Sequence, residues 1–237
     1  MSAPEVSARL CASIGVSSLA KLEKLIRRAF HFGAGLVEVR VDYLGEGQLP
    51  GLRGVVAPYL DRLILTCRTA SEGGFFRGLL REYLALVRDL LSMEPRFVDI
   101  DYFTLKERLP ELKGSKGIIA SWHHPSLTPE PGRLRRLFEG MRGCGEVLKI
   151  VPWARTGRDA GNVLSLYRLA RPGELIAFAQ GPRGIHSRLL CLFAGAPFTY
   201  VSVGEEATAP GQIALEDARF LLAAMQPFLT PLPRPES

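Results

Sequence analysis

Leu36-Val37-Glu38-Val39-Arg40-Val41-Asp42 is the stretch whose reading decides the fold. Three valines alternate with three charged residues, which is the two-residue period of a β-strand whose faces meet different surroundings. One such strand at the edge of a sheet would turn its charges to water. A strand inside a repeating α/β pattern has few edges available. Its valines then pack under helices, and its charges point to the other side.

The flanking sequence supplies that pattern. Strand-like runs recur at 10–14, 36–41, 63–67, 96–100, 117–121, 146–151, 174–179 and 198–201. Amphipathic helix-like stretches lie at 18–32, 78–93, 131–142, 160–170 and 212–225, with weaker candidates in the remaining gaps. Strands alternating with crossover helices predict an α/β fold with a parallel sheet. The closed solution is the (β/α)8 TIM barrel, and 237 residues suit its usual length of ~250. An open doubly wound sheet is the alternative, but no GxGxxG follows the first strand. In a barrel Glu38, Arg40 and Asp42 project inward toward the C-terminal mouth, where buried charges need partners and can partly serve one another. No linker divides the chain. Residues 1–225 read as a single-domain catalytic barrel and the Pro-rich residues 226–237 as a frayed tail.

Composition narrows the function. No apolar run approaches the ~20 residues of a membrane span. The start, Met1-Ser2-Ala3-Pro4-Glu5, has neither a basic n-region nor a signal-like apolar run. A cytoplasmic protein with no membrane partner is expected. The net charge is +6, but the arginines are dispersed. The one tight group, Arg133, Arg135 and Arg136, falls on a predicted helix and reads as a solvated face, so no nucleic-acid partner is expected. A basic chain also attracts small carboxylate substrates. Cys11, Cys67, Cys144 and Cys191 form no CxxC pair and read as buried free thiols, with no metal site.

Lys149 stands out among the six lysines. It sits in Val147-Leu148-Lys149-Ile150-Val151, where an amine loses hydration on folding. Desolvation disfavours the charged form, and a neutral amine can attack a ketone to give a Schiff base. The plain alternative is a lysine that snorkels to water from a strand end. Other polar residues recur where the predicted strands end, which is where barrel enzymes place their sites. They are Thr66-Cys67-Arg68 with Ser71-Glu72-Gly73-Gly74, then Asp99 and Asp101, then Ser121-Trp122-His123-His124. Ser187-Arg188 follows the seventh strand, and Thr208-Ala209-Pro210-Gly211-Gln212 follows the eighth and opens a helix. His123 and His124 make a poor metal site together, because neighbouring strand residues face opposite ways.

These segments resemble the type I 3-dehydroquinate dehydratase family. Its successive signatures, E-x-R-x-D, T-x-R-x-x-x-E-G-G, S-x-H, K-x-x-P-x-A, S-R and A-P-G-Q, are matched in order from Glu38 to Gln212. His124 stands where the family usually has Asp or Asn, Gln180 where it often has Met, and Thr208 where it often has Ser. The resemblance implies dehydration of 3-dehydroquinate to 3-dehydroshikimate in the shikimate pathway, by a homodimer without a cofactor. It implies Lys149 as the Schiff-base amine and His123 as general base and acid. Glu38, Arg40, Arg68, Thr208 and Gln212 would hold substrate hydroxyls or orient the lysine and histidine. Arg188 would clamp the substrate carboxylate, with the Thr208–Gln212 loop closing over it. Asp42, Glu72, Asp99 and Asp101 read as partners of the arginines or as structural, and His124 remains a rival to His123. Other readings are a Schiff-base aldolase with Gly181-Pro182-Arg183-Gly184 as its phosphate site, a basic nucleic-acid-binding module, and an inactive barrel scaffold.

Overall fold

In the computed structural model, which describes residues 9–204 and 207–225, eight strands alternate with eight α-helices. The expected tail, 226–237, lies outside the described residues. The strands are β1 (Leu10–Ile14), β2 (Leu36–Arg40), β3 (Leu63–Thr66), β4 (Phe97–Asp101), β5 (Ile118–His124), β6 (Val147–Pro152), β7 (Leu175–Ala177) and β8 (Thr199–Ser202). The helices are α1 (Leu19–His31), α2 (Leu49–Val56), α3 (Leu80–Leu91), α4 (Tyr102–Arg108), α5 (Pro131–Met141), α6 (Gly157–Leu164), α7 (Ser187–Ala194) and α8 (Leu215–Met225). No helix among the described residues is long and apolar enough to cross a membrane.

The sheet runs β7-β6-β5-β4-β3-β2-β1-β8, and every pairing is parallel. Its two ends, β7 and β8, meet through side chains. The Phe178 and Tyr200 rings face each other there at 6.3 Å, and Thr199 Oγ1 donates to the Arg188 carbonyl at 2.6 Å. The expected (β/α)8 barrel is borne out as a nearly closed one.

Two apolar layers hold it. Outside the sheet, α1 buries Leu22, Ile26 and Ala29 at helical spacing, against strands that include Val37 and Val39. Inside, Phe97 and Phe198 meet across the lower barrel at 6.1 Å. Each fully buried aliphatic or aromatic side chain stabilises the fold by about 1.5–3 kcal/mol relative to exposure.

The boundaries differ from expectation where side chains intervene. β5 continues to His124 because Trp122, His123 and His124 pair in register with Ile150, Val151 and Pro152. β7 stops at Ala177, and the Ala179 amide instead donates to Ser187 Oγ at 2.9 Å. The helix expected from residue 212 begins at Leu215. Gln212 accepts from the amides of Thr208 and Ala209 at 2.7 and 3.3 Å, so it ties the preceding loop. Of the weakly signalled helices, α2 contains Pro50, Gly51 and Gly54, residues of poor helix propensity held by tertiary packing.

Candidate active site

The site lies at the C-terminal ends of the strands, in a pocket of about 210 Å³. All of the sequence-selected residues line it: Glu38 and Arg40 from β2, Arg68 after β3, and His123 and Lys149 from β5 and β6. Arg188 from α7 and the loop residues Thr208 and Gln212 complete it.

β2 sends Glu38 and Arg40 inward as the alternation required, but they do not pair with each other. Arg40 makes a bidentate pair with Asp42, at 2.9 and 2.7 Å. Glu38 accepts from Ser13 Oγ at 2.5 Å and Thr66 Oγ1 at 3.0 Å, which leaves its charge for Lys149.

Lys149 is 4% exposed, so it does not snorkel. Nor is the amine without a counter-charge. Nζ donates to Asp99 Oδ2 at 2.9 Å and lies 3.5 Å from Glu38 Oε1. The partner sits on β4, one strand away across β5, with 50 residues of chain between them. Asp99 also accepts from Ser121 Oγ at 2.6 Å and Arg68 Nη2 at 3.0 Å. Burial alone would raise the Asp99 pKa, but Lys149 and Arg68 outweigh it and hold the carboxyl well below its ordinary range.

Arg68 is the hub. Its Nη1 donates to Glu72 Oε1 at 2.9 Å and to His123 Nδ1 at 2.8 Å. A guanidinium has no acceptor, so Nδ1 accepts, and a neutral His123 carries its proton on Nε2. Burial, and then the charges of Arg68 and Lys149, push the His123 pKa well below 6.5. The ring is therefore neutral at pH 7. Burial raises Glu72 despite Arg68. Gly74 makes this turn possible, since a Cβ there would lie 2.1 Å from the Arg68 carbonyl oxygen. Asp101 pairs with no arginine among the described contacts; it caps α4 by accepting from the Thr104 amide at 2.8 Å.

Strand alternation separates the two histidines. His123 turns inward to Arg68, whereas His124 stacks beside Trp122 at 5.8 Å. His124 Nδ1 accepts from the Ser126 and Leu127 amides at 3.4 and 3.3 Å, bracing the loop after β5.

Arg188 is 2% exposed and has no carboxylate among its described contacts. It donates one bond to the Pro210 carbonyl at 3.2 Å and lies over the Phe178 ring, and its Nε is buried without a partner. Burial lowers its pKa to about 10. Its neighbour Ser187 is structural, donating to the Gly184 carbonyl at 2.5 Å. Thr208 Oγ1 reaches across to Ser13 Oγ at 2.7 Å, so the 208–212 loop is pinned to β1. Gly184 donates to the Gly181 carbonyl at 2.9 Å and Gly181 to Pro210 at 3.4 Å. Two amides of the suggested phosphate turn are thus already used.

Sequence reasoning missed the aromatic wall of Trp153, Phe178 and Tyr200. Tyr200 had a readable signal, since it alternates with Ser202 on β8 and with Phe198 just before it.

Fold and site together define a barrel enzyme whose pocket holds a buried lysine, a neutral histidine and an arginine that meets no carboxylate among the described residues. Comparison with known proteins gives the family. A profile of Type I 3-dehydroquinase matches residues 10–228, and the chain belongs to that family. It is 39% identical over 196 residues to the 3-dehydroquinate dehydratase of Thermococcus gammatolerans, covering 81% of this chain and 88% of that one. The protein of the same name from Archaeoglobus fulgidus is 34% identical over 196 residues, covering 81% and 90%. The crystal structure of the Aquifex aeolicus enzyme aligns with a TM-score of 0.74 and 26% identity, covering 91% of this chain and 97% of that one. The Geobacillus kaustophilus structure aligns with a TM-score of 0.80 at 21% identity over 92% and 91%, a likeness of fold.

Proposed function

We propose that this protein is a hydro-lyase that converts 3-dehydroquinate to 3-dehydroshikimate in the shikimate pathway through an imine on Lys149. The observation that carries the reading is the placement in one pocket of a buried amine, a neutral imidazole and a buried guanidinium that meets no counter-charge among the described residues.

Arg188 takes the substrate carboxylate, because a buried cation without an anion is satisfied by a ligand that brings one. The Lys149 amine adds to the C3 ketone and water leaves, giving a protonated imine. Asp99, held ionised by Lys149 and Arg68, keeps Nζ in place and faces the positive charge. His123 removes the C2 proton, the electron pair moves into the imine, and an enamine forms. The C1 hydroxyl then departs with a proton returned by His123. Hydrolysis of the conjugated imine releases product and amine.

Nδ1 of His123 is engaged by Arg68, so Nε2 is the nitrogen left for substrate. The resting tautomer makes Nε2 a donor. The base step requires the other tautomer, with Nδ1–H turned to an acceptor. We assign that acceptor role to Glu72, whose Oε1 accepts from the same Arg68 Nη1 that donates to Nδ1. Arg68 keeps Asp99 through Nη2 during the exchange.

The homodimer and cytoplasmic location implied by the resemblance belong to this reading. An apolar face between α7 and α8 is suited to a second copy: Phe220 is 74% exposed, and Ile185, Leu190 and Leu221 are uncovered beside it.

The test is incubation with 3-dehydroquinate. A conjugated product should appear in the ultraviolet, and borohydride added during turnover should inactivate the enzyme with an adduct in peptide 147–153. Active enzyme with the adduct on another lysine, or none, would refute the imine on Lys149.

A further inference from the structure

We infer that Tyr200 is a catalytic residue whose ring face, not its hydroxyl, stabilises the cationic nitrogen of Lys149. This inference rests on the imine reading above and adds to it a group that neither sequence motif nor acid–base chemistry selects.

Lys149 Nζ lies 3.9 Å from the centroid of the Tyr200 ring, within cation–π range. Tyr200 is 3% exposed and lines the pocket. Phe198 and Phe178 hold the ring at centroid distances of 5.7 and 6.3 Å, so its face cannot readily turn from the amine. The hydroxyl is buried with no hydrogen-bond partner. Burial, and then the charges of Glu38 and Asp99, raise its pKa well above 10, so it stays protonated. Nothing in the pocket uses the one polar atom of this side chain.

The position of the ring matters because Nζ changes during the reaction. As an ammonium it has three N–H bonds, enough for Asp99, Glu38 and one further direction. As an imine it has one N–H and a planar cation spread over nitrogen and carbon. Carboxylate oxygens then lose most of their hydrogen bonds to Nζ. A ring face loses nothing, because its attraction is to charge and a planar cation can lie flat against it. The carboxylates thus orient the free amine, and Tyr200 stabilises the cation that replaces it.

The experiment replaces Tyr200 with Phe and then with phenylalanines carrying successive ring fluorines, which preserve shape while draining the negative face. Tyr200→Phe should keep kcat within about twofold, since only an unsatisfied hydroxyl is lost. Along the fluorinated series log kcat should fall steadily, to about 10- to 30-fold below Tyr200→Phe at full fluorination. KM should move much less, because carboxylate binding at Arg188 is untouched. Tyr200→Leu should resemble the fully fluorinated end. Borohydride trapping should decline in parallel. Trapping on Lys149 in the unaltered enzyme together with a flat fluorine series would overturn the role of Tyr200 alone. A Tyr200→Phe variant as impaired as Tyr200→Leu would assign the role to the hydroxyl. Absence of any adduct in the unaltered enzyme would overturn this inference and the imine reading together.

Discussion

Lys149 and Arg188 are two cations in one pocket, 4% and 2% exposed, and their surroundings are opposites. Lys149 meets Asp99, Glu38 and an aromatic face. Arg188 meets one backbone carbonyl and an aromatic face, and its Nε is unsatisfied. Desolvating a charge costs several kcal/mol unless something compensates it. Around Lys149 the protein compensates in advance, which fixes the amine where chemistry occurs. Around Arg188 no compensating charge is found among the described residues. On the proposed reading the first arrangement serves reaction and the second recognition.

The sharpest break of this contrast is Lys149→Ala. Turnover with 3-dehydroquinate should fall to the limit of detection. The sequence alone suggested that removing a desolvated amine would leave stability equal or improve it. The pairing reverses that expectation. Asp99 keeps Arg68 and Ser121, and Glu38 keeps Ser13 and Thr66, but both lose a counter-charge. A loss of up to about 3 kcal/mol is expected in chemical denaturation, less than for a buried pair with no other support. Unchanged stability would mean that Lys149 is held by something other than its carboxylates.

His123→Ala should lower kcat by at least ~10²-fold, the usual scale of general acid–base catalysis. The imine should still form, because the amine and the carboxylate clamp remain. A borohydride-trappable intermediate should therefore accumulate in a single-turnover experiment.

Arg188→Ala should be the mirror image of Lys149→Ala. Removing an uncompensated cation should leave stability unchanged or higher, while KM rises about 10- to 100-fold, the scale of charge-assisted bonds to a carboxylate. A marked loss of stability would show that Arg188 is structurally paired in solution.

A smaller effect concerns pH. The folded His123 value lies well below 6.5, so below that pH the unfolded chain binds a proton that the folded chain refuses. Its contribution to stability is fully present above pH 6.5 and declines as the solution is acidified toward the folded value. Thermal melts from pH 7 to 5 should show a steeper loss for the unaltered protein than for His123→Asn. Equal slopes would place the histidine proton elsewhere. The smallest change expected is His124→Ala, which loosens the Ser126–Leu127 turn and should cost kcat only severalfold. If it proves more damaging than His123→Ala, the inward register of β5 is wrong by one residue.

Much of this was legible in the sequence. Alternation in 36–42 required two different faces, and Glu38 and Arg40 do turn into the barrel. An amine inside Val147-Leu148-Lys149-Ile150-Val151 marked β6, and Ser121-Trp122-His123 put the inward histidine in register. Other features were invisible for a physical reason. Local pattern reports which face a side chain takes, but not which residues distant in sequence the barrel brings beside it. Asp99 and Lys149 are 50 residues apart, Arg68 and His123 are 55, and Ser13 and Thr208 are 195. Asp101 shows the converse. By sequence it matched Asp99 two residues earlier, yet it ends at a helix cap because β4 ends there.

The sequence by itself determined the repeating α/β architecture, the direction of the charges on β2 and the placement of a lone amine on an apolar strand. These follow from two-residue and helical periodicities, which steric and hydrophobic forces impose locally. Only the tertiary structure decided that the amine is paired, that His123 is neutral with Nδ1 occupied, that Arg188 meets no counter-charge among the described residues and that Tyr200 faces Lys149. Desolvation and Coulomb energy depend on what surrounds a group in space, and that is set when β8 closes onto β1.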